Sequence, residues 1–200
     1  MNRLAAPPSQ LSSSPQLKTL PAGTALLRFY QPRHGDWASQ RHYGPLGDMR
    51  FDHHPEPLGI HPAHSVWYAA TSLRGAVAES FGRLGLIDRG AGARLVKAKL
   101  EAPLQLVDLV GVAARAAGLT QEIATSTEYA VCRQWAQAFH RELPACHGLR
   151  WRGRQSGSLC VVLHDRVERD QLSGDSWPLS DAVVWPRIAR AAREFALTVL

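Results

Sequence analysis

The stretch from His64 to Gly85 constrains the fold more than any other part of the chain. Its hydrophobic period changes from two to about 3.6 within a few residues. Val66, Tyr68 and Ala70 alternate with Trp67 and Ala69, which reads as a strand over His64–Ala70. Thr71 or Ser72 then caps a helix running to about Gly85, with Leu73, Ala76, Val77, Phe81 and Leu84 on its apolar face. A strand that feeds a helix with so short a link must dock that helix beside its own sheet. Mixed α and β structure is therefore built in.

The rest of the chain extends this pattern. Ala25–Gln31 reads as a first strand, and a long Gly/Pro/His-rich loop follows from Pro32 to about His64. Loops of that length inside a compact domain are often functional. Further strands are expected over Arg94–Leu100, Leu104–Val110 and Ser158–His164. Helices are expected over Val112–Ala117, over Thr127–His140, and from Pro186 through Phe195. Uneven spacing and the long loop do not suit a doubly wound sheet, so the class is α+β. Residues 1–23, Pro/Ser/Gln-rich and without periodicity, read as a mobile tail ahead of a single domain over 24–200.

Composition excludes several classes. With 45% hydrophobic and 20% charged residues the chain reads as globular. Its longest apolar runs are too short to cross a bilayer, and no secretory signal opens it. Cys132, Cys146 and Cys160 form no CxxC pair and suit a reducing cytoplasm as buried fillers. The net charge of +6 arises wholly in residues 1–100, with 12 Lys and Arg against 6 Asp and Glu; residues 101–200 hold 11 of each. An anion-facing surface in the first half is one consequence. Twenty of the basic residues are Arg, the side chain that forks onto phosphate; phosphate recognition is one reading, and codon bias in an Ala- and Arg-rich proteome is the other.

No GxGxxG, P-loop or nucleophile-elbow motif is present. His53, His54, His61 and His64 crowd the long loop but lack a Cys or carboxylate at ligand spacing, so they read as solvated loop histidines and no metal is expected. Glu79 is the only carboxylate within residues 57–87 and lies at the edge of the buried face of its helix. It is either a reactive carboxylate or half of a surface ion pair with Arg83 at i+4. Arg28, inside the first strand, faces solvent or needs a partner, because an unpaired buried guanidinium is costly. Tyr68 is a functional aromatic or a core one with its hydroxyl satisfied. Trp151 among Arg150, Arg152 and Arg154 suits a phosphate or nucleic-acid contact, or a solvated hairpin edge.

Taken together, LLRFYQP at 26–32, GDMRFD at 47–52, VWYAATSLRGAVAE at 66–79 and GLRWRGRQSGSLCVVLHD at 148–165 resemble the RES domain family, named for its Arg, Glu and Ser residues. STEYAVCRQWAQAFH at 126–140 is similar to that family's Trp-Ala helix. The resemblance implies an ADP-ribosyltransferase-like β-core with flanking helices and an NAD cleft. It implies a bacterial toxin that degrades NAD by phosphorolysis or hydrolysis and is blocked by an Xre-type DNA-binding antitoxin, so that nucleic acid is met only through that partner. NAD would be substrate rather than cofactor, with inorganic phosphate as a co-substrate. ADP-ribosylation of a protein target is the alternative, and an inactive or basic nucleic-acid-binding module stands outside the enzyme class.

Carried over by position, Arg28, Tyr68 and Glu79 take the catalytic places, and Arg50 the Arg of the Gly-Arg-Phe stretch. Arg154, Ser156 and Ser158 join Arg50 as NAD or phosphate contacts. One departure stands out. Where the family reads Tyr-Arg-Ser-Arg, this chain reads Trp151-Arg152-Gly153-Arg154, so the expected hydroxyl falls to Ser156 or Ser158.

Overall fold

The computed structural model describes residues 4–11, 15–116, 119 and 121–200. In chain order its elements are β1 (Leu17–Leu20), β2 (Ala25–Tyr30), β3 (Tyr43–Gly44), β4 (Gly59–Ile60), β5 (Val66–Ala70) and α1 (Leu73–Phe81). There follow β6 (Leu86–Ile87), β7 (Arg94–Leu100), β8 (Leu104–Asp108), α2 (Val112–Ala116) and α3 (Tyr129–Glu142). The chain closes with β9 (Gly148–Arg152), β10 (Leu159–His164), β11 (Leu172–Pro178), α4 (Trp185–Glu194) and β12 (Thr198–Val199). The class is α+β, as expected.

Among the described residues the main sheet has eight strands in the order β1-β8-β9-β10-β5-β2-β7-β11. All neighbours are antiparallel except β8 and β9. β10 is apolar from Leu159 to Leu163 because it is covered on both faces, and it ends in the fully buried His164. Cys160 and Val162 join the cluster under α3 with Cys132, Trp135, Ala136 and Phe139. Val161 and Leu163 join Leu26, Trp67, Val96 and Leu106 on the other face. A third cluster seats α1 and α4 on β7 through Val77, Leu95, Ile188 and Ala192. In β7 only Lys97 and Lys99 point outward, which explains its alternation.

Two expectations change. The tail drawn over residues 1–23 contains β1, an edge strand in register with β8 from Leu17↔Val107 to Leu20↔Leu104. Leu4 is buried, Trp135 Nε1–H donates to the Ala5 carbonyl (2.9 Å), and Leu11 N–H donates to Glu142 (2.7 Å). Low apolar content hid this strand, which needs only one buried anchor at a sheet edge, Leu20. The rest of the tail, at 1–3 and 12–14, lies outside the described residues, as does Ala117 of the expected short helix. Second, Arg150–Arg152 is no solvated hairpin edge. β9 lies between β8 and β10, Trp151 is buried, and Arg150 forks onto Asp108 at 2.8 and 3.2 Å.

Near the middle of the sheet β2 and β5 are in register at Leu27↔Ala70. Arg28 follows that pair on β2 and Tyr68 precedes it on β5, on opposite faces of the sheet.

Candidate active site

Glu79 is placed by a short chain of local causes. The Ser72 hydroxyl accepts from the Gly75 N–H at 3.0 Å and starts α1 directly after β5. Gly75 lets the helix press against the β9–β10 turn, since a Cβ there would meet the Ser158 Cβ at 2.7 Å. One turn on, Glu79 faces that same turn. Its Oε1 accepts from the Gln155 N–H at 3.1 Å and from the Ser156 hydroxyl at 3.3 Å. The Ser156 oxygen in turn accepts from the Ser158 N–H (3.0 Å), and the hydroxyls of Ser72 and Ser158 are 3.2 Å apart. The carboxylate stays exposed to solvent while fixed in direction. The i+4 pair with Arg83 does not form, because Arg83 reaches Asp48 instead at 2.6 Å.

Tyr68 is held from the loop before β5. Its hydroxyl donates to Asp52 Oδ1 (3.0 Å) and accepts from the Phe51 N–H (3.2 Å). Asp52 is fully buried and also takes both oxygens' worth of contact from Arg41, at 2.7 and 2.9 Å. Burial, then the Asp52 carboxylate, pushes the phenol well above its usual range. Tyr68 therefore keeps its phenolic proton, hydrogen-bonded to Asp52, and its ring is held in a fixed orientation.

Arg28 lies over the Trp67 ring, 5.0 Å from its centroid, on the side of β5 opposite Tyr68. Its Nη1 is closed off from solvent and has no hydrogen-bond partner. Desolvation, reinforced by Arg41, lowers its pKa to about 10. A desolvated guanidinium nitrogen without a partner is costly to the folded chain unless something pairs with it.

Arg50 behaves differently. Nη1 donates to the Ala124 carbonyl (2.6 Å), Nε and Nη2 to that of Ser126 (3.3 and 3.1 Å), and the group lies over Tyr129. It ties down the segment before α3. Arg154 is exposed on the turn that carries Ser156. Glu79, Ser156 and Ser158 are therefore brought together with Arg154 on their turn, whereas Tyr68 and Arg28 lie on opposite faces of the sheet and Arg50 is held by the segment before α3.

The order of these elements and the family match coincide: the RES domain matches residues 26–181. The chain belongs to the RES domain family. Its fold is similar to that of a chain in the crystal structure of the M. tuberculosis MbcT–MbcA toxin–antitoxin complex, with a TM-score of 0.60. The two are 19% identical over 86% of this chain and 92% of that one. None of the curated proteins matches the chain.

Within this RES domain, residue-type reasoning passed over Asp52, Arg41 and Arg74. Asp52 stands inside the quoted GDMRFD stretch, and a carboxylate two residues after its Arg was the available signal. Arg74 clamps the turn by donating to the Ser156 carbonyl (2.9 Å) and to Glu194 (2.7 Å). The loop histidines are a correction. His53 and His54 are buried, not solvated, because the loop folds inward against α3 and β10. Donor atoms of His53, His64, His140 and Asp165 all lie within 4.8 Å of one another.

Proposed function

We propose that this RES domain protein cleaves the bond between ribose and nicotinamide in NAD, by phosphorolysis or hydrolysis, as the toxin of a bacterial toxin–antitoxin pair with an Xre-type antitoxin. The observation that carries the reading is the Glu79 carboxylate, exposed yet aimed by the Gln155 N–H and the Ser156 hydroxyl. Cleavage breaks the C1″–N bond, and its electron pair neutralises the pyridinium as nicotinamide leaves. Positive charge grows on the ribose, and a directed carboxylate stabilises it. An oxygen of phosphate or water then bonds to C1″, giving ADP-ribose-1″-phosphate or ADP-ribose.

The other groups fit supporting parts. The buried Arg28 guanidinium provides a preformed positive site for the pyrophosphate or the incoming phosphate. The Tyr68 ring, fixed by Asp52 and Phe51, suits a flat nicotinamide. Family membership and the toxin–antitoxin character of the M. tuberculosis MbcT–MbcA complex support the biological setting. No helix among the described residues is long and apolar enough to cross a membrane. A nucleic-acid platform loses its main support, since Trp151 is buried against Phe51.

The test is incubation of purified protein with NAD, with and without phosphate, and identification of the products by mass. Glu79→Gln keeps the shape and is expected to bind NAD while turnover falls by orders of magnitude. Near-normal turnover in that variant, or intact NAD with the wild type under both conditions, would overturn the reading. Label transfer onto protein instead of small products would favour the transferase alternative.

A further inference from the structure

We propose that His53, His64, His140 and Asp165 form a binding site for a divalent transition-metal ion of the zinc class, separate from the Glu79 site. The four residues come from three segments: the loop before β5, the last turn of α3, and the residue after β10. Each offers one donor atom, and all four donors lie within 4.8 Å of one another. Zinc binds imidazole nitrogen and carboxylate oxygen at about 2.0–2.2 Å, so closing on an ion needs shifts of only about an ångström. A set of three imidazoles and one carboxylate matches the preference of zinc, copper and nickel over magnesium or calcium.

The surroundings point the same way. Asp165 Oδ1 already gathers His53 Nε2 at 2.8 Å and His140 Nε2 at 2.9 Å. The His53 and His140 rings stack with centroids 4.0 Å apart, and His64 lies 5.2 and 5.3 Å from them. His53 is 1% exposed, yet its Nδ1 has no partner, and the same holds for His64 Nδ1 and for both ring nitrogens of the fully buried His164. Buried polar atoms are nearly always satisfied, so a cluster that pairs His53 Nε2 and His140 Nε2 with Asp165 yet leaves these four ring nitrogens without a partner has donor capacity to spare. A cavity of about 470 Å³ opens beside Asp165, and its wall includes Asp36, His42 and Glu168. Against one guanidinium in the same wall, Arg169, the three carboxylates of Asp36, Asp165 and Glu168 leave the cavity with an excess of negative charge.

The position separates this site from the Glu79 chemistry. Ser158 and Ala70 stand at one end of β10 and β5, whereas His164 and Val66 pair at the other. An ion there would clamp the loop carrying Phe51 and Asp52, the residues that hold Tyr68, to α3 and β10.

Equilibrium dialysis of the full, chelator-treated chain against zinc chloride tests the proposal, with cobalt(II) as the spectroscopic substitute. The expected result is one tightly held equivalent, a raised melting temperature, and the visible absorption of a four-coordinate cobalt centre. His64→Gln combined with His140→Gln should weaken binding by at least about a hundredfold. His34→Gln combined with His61→Gln should leave it unchanged. If the first double variant fails to fold, Asp165→Asn is measured in its place with the same expected loss. Absence of stoichiometric metal in the wild type, or undiminished binding in the ligand variant, would overturn the site.

Discussion

Gly153 faces the Glu79 carboxylate with a bare Cα. A Cβ built on it would stand 2.3 Å from Oε1 and 2.9 Å from Cys160 Sγ. The family pattern places a Ser here, and in this chain the hydroxyl beside Glu79 comes from Ser156 instead. Gly153→Ser should therefore push the carboxylate off the Gln155 N–H and Ser156. Glu79 is exposed and its end can swing away, but the buried Cys160 Sγ must also give, so a stability cost of about 1–3 kcal/mol is expected. Turnover should fall at least about tenfold, which is about 1.4 kcal/mol of misplaced stabilisation. Thermal melting paired with NAD consumption checks this; turnover unchanged or raised would show that the inserted Ser serves as the missing hydroxyl.

Arg28 should prove costly to the empty protein. Its desolvated, unpartnered Nη1 opposes folding, and the contact with Trp67 returns only about 0.5–2 kcal/mol. Replacement by Met, similar in length and uncharged, is expected to leave stability unchanged or raise it by about 1 kcal/mol or more, by analogy with apolar replacement of buried charges. Affinity for NAD or phosphate should drop sharply in the same variant. Chemical denaturation with and without phosphate measures both, and a clear loss of stability without ligand would contradict an anion-binding role.

Arg50 should show the opposite sign. Arg50→Ala strands the carbonyls of Ala124 and Ser126, with an expected cost of about 2–4 kcal/mol. The variant that still folds at low temperature should keep its KM for NAD within a few-fold. A large rise in KM with an unchanged melting temperature would return Arg50 to the pyrophosphate.

The three thiols should be silent in the native state. Burial raises Cys132 to about 11 and Cys160 to about 12, and raises Cys146 as well. Their thiolate fraction near pH 8 is therefore small, and iodoacetamide should modify none of them until the chain unfolds, then all three. The sign for stability follows from the same shift. A raised native pKa holds the proton on the folded form, so stability is full below the unfolded value of about 8.5 and declines as pH rises toward the native values. Mass spectrometry before and after denaturation, and melting temperatures across that alkaline range, test the two halves.

The sequence alone determined the α+β class, a strand-to-helix junction at Thr71 or Ser72, which the structure resolves to Ser72, and the candidacy of Glu79, because each follows from hydrophobic period and capping over a few neighbouring residues. It also carried the family resemblance, through the order of four stretches. Tertiary structure decided the rest. β1 was invisible because an edge strand needs few apolar residues, and β9 because its arginines looked solvated until Asp108 came beside Arg150. Whether an Arg binds a ligand, as proposed for Arg28, or carbonyls, as Arg50 does, depends on partners about 75 residues away or on their absence. The histidines give the sharpest case. His53 and His64 lie in a loop, but the carboxylate that gathers His53 and His140 is Asp165, over a hundred residues beyond His53. Spacing along a chain records only local neighbours, whereas ligand sets and buried charges are assembled by the packing of segments whose separation no periodicity encodes.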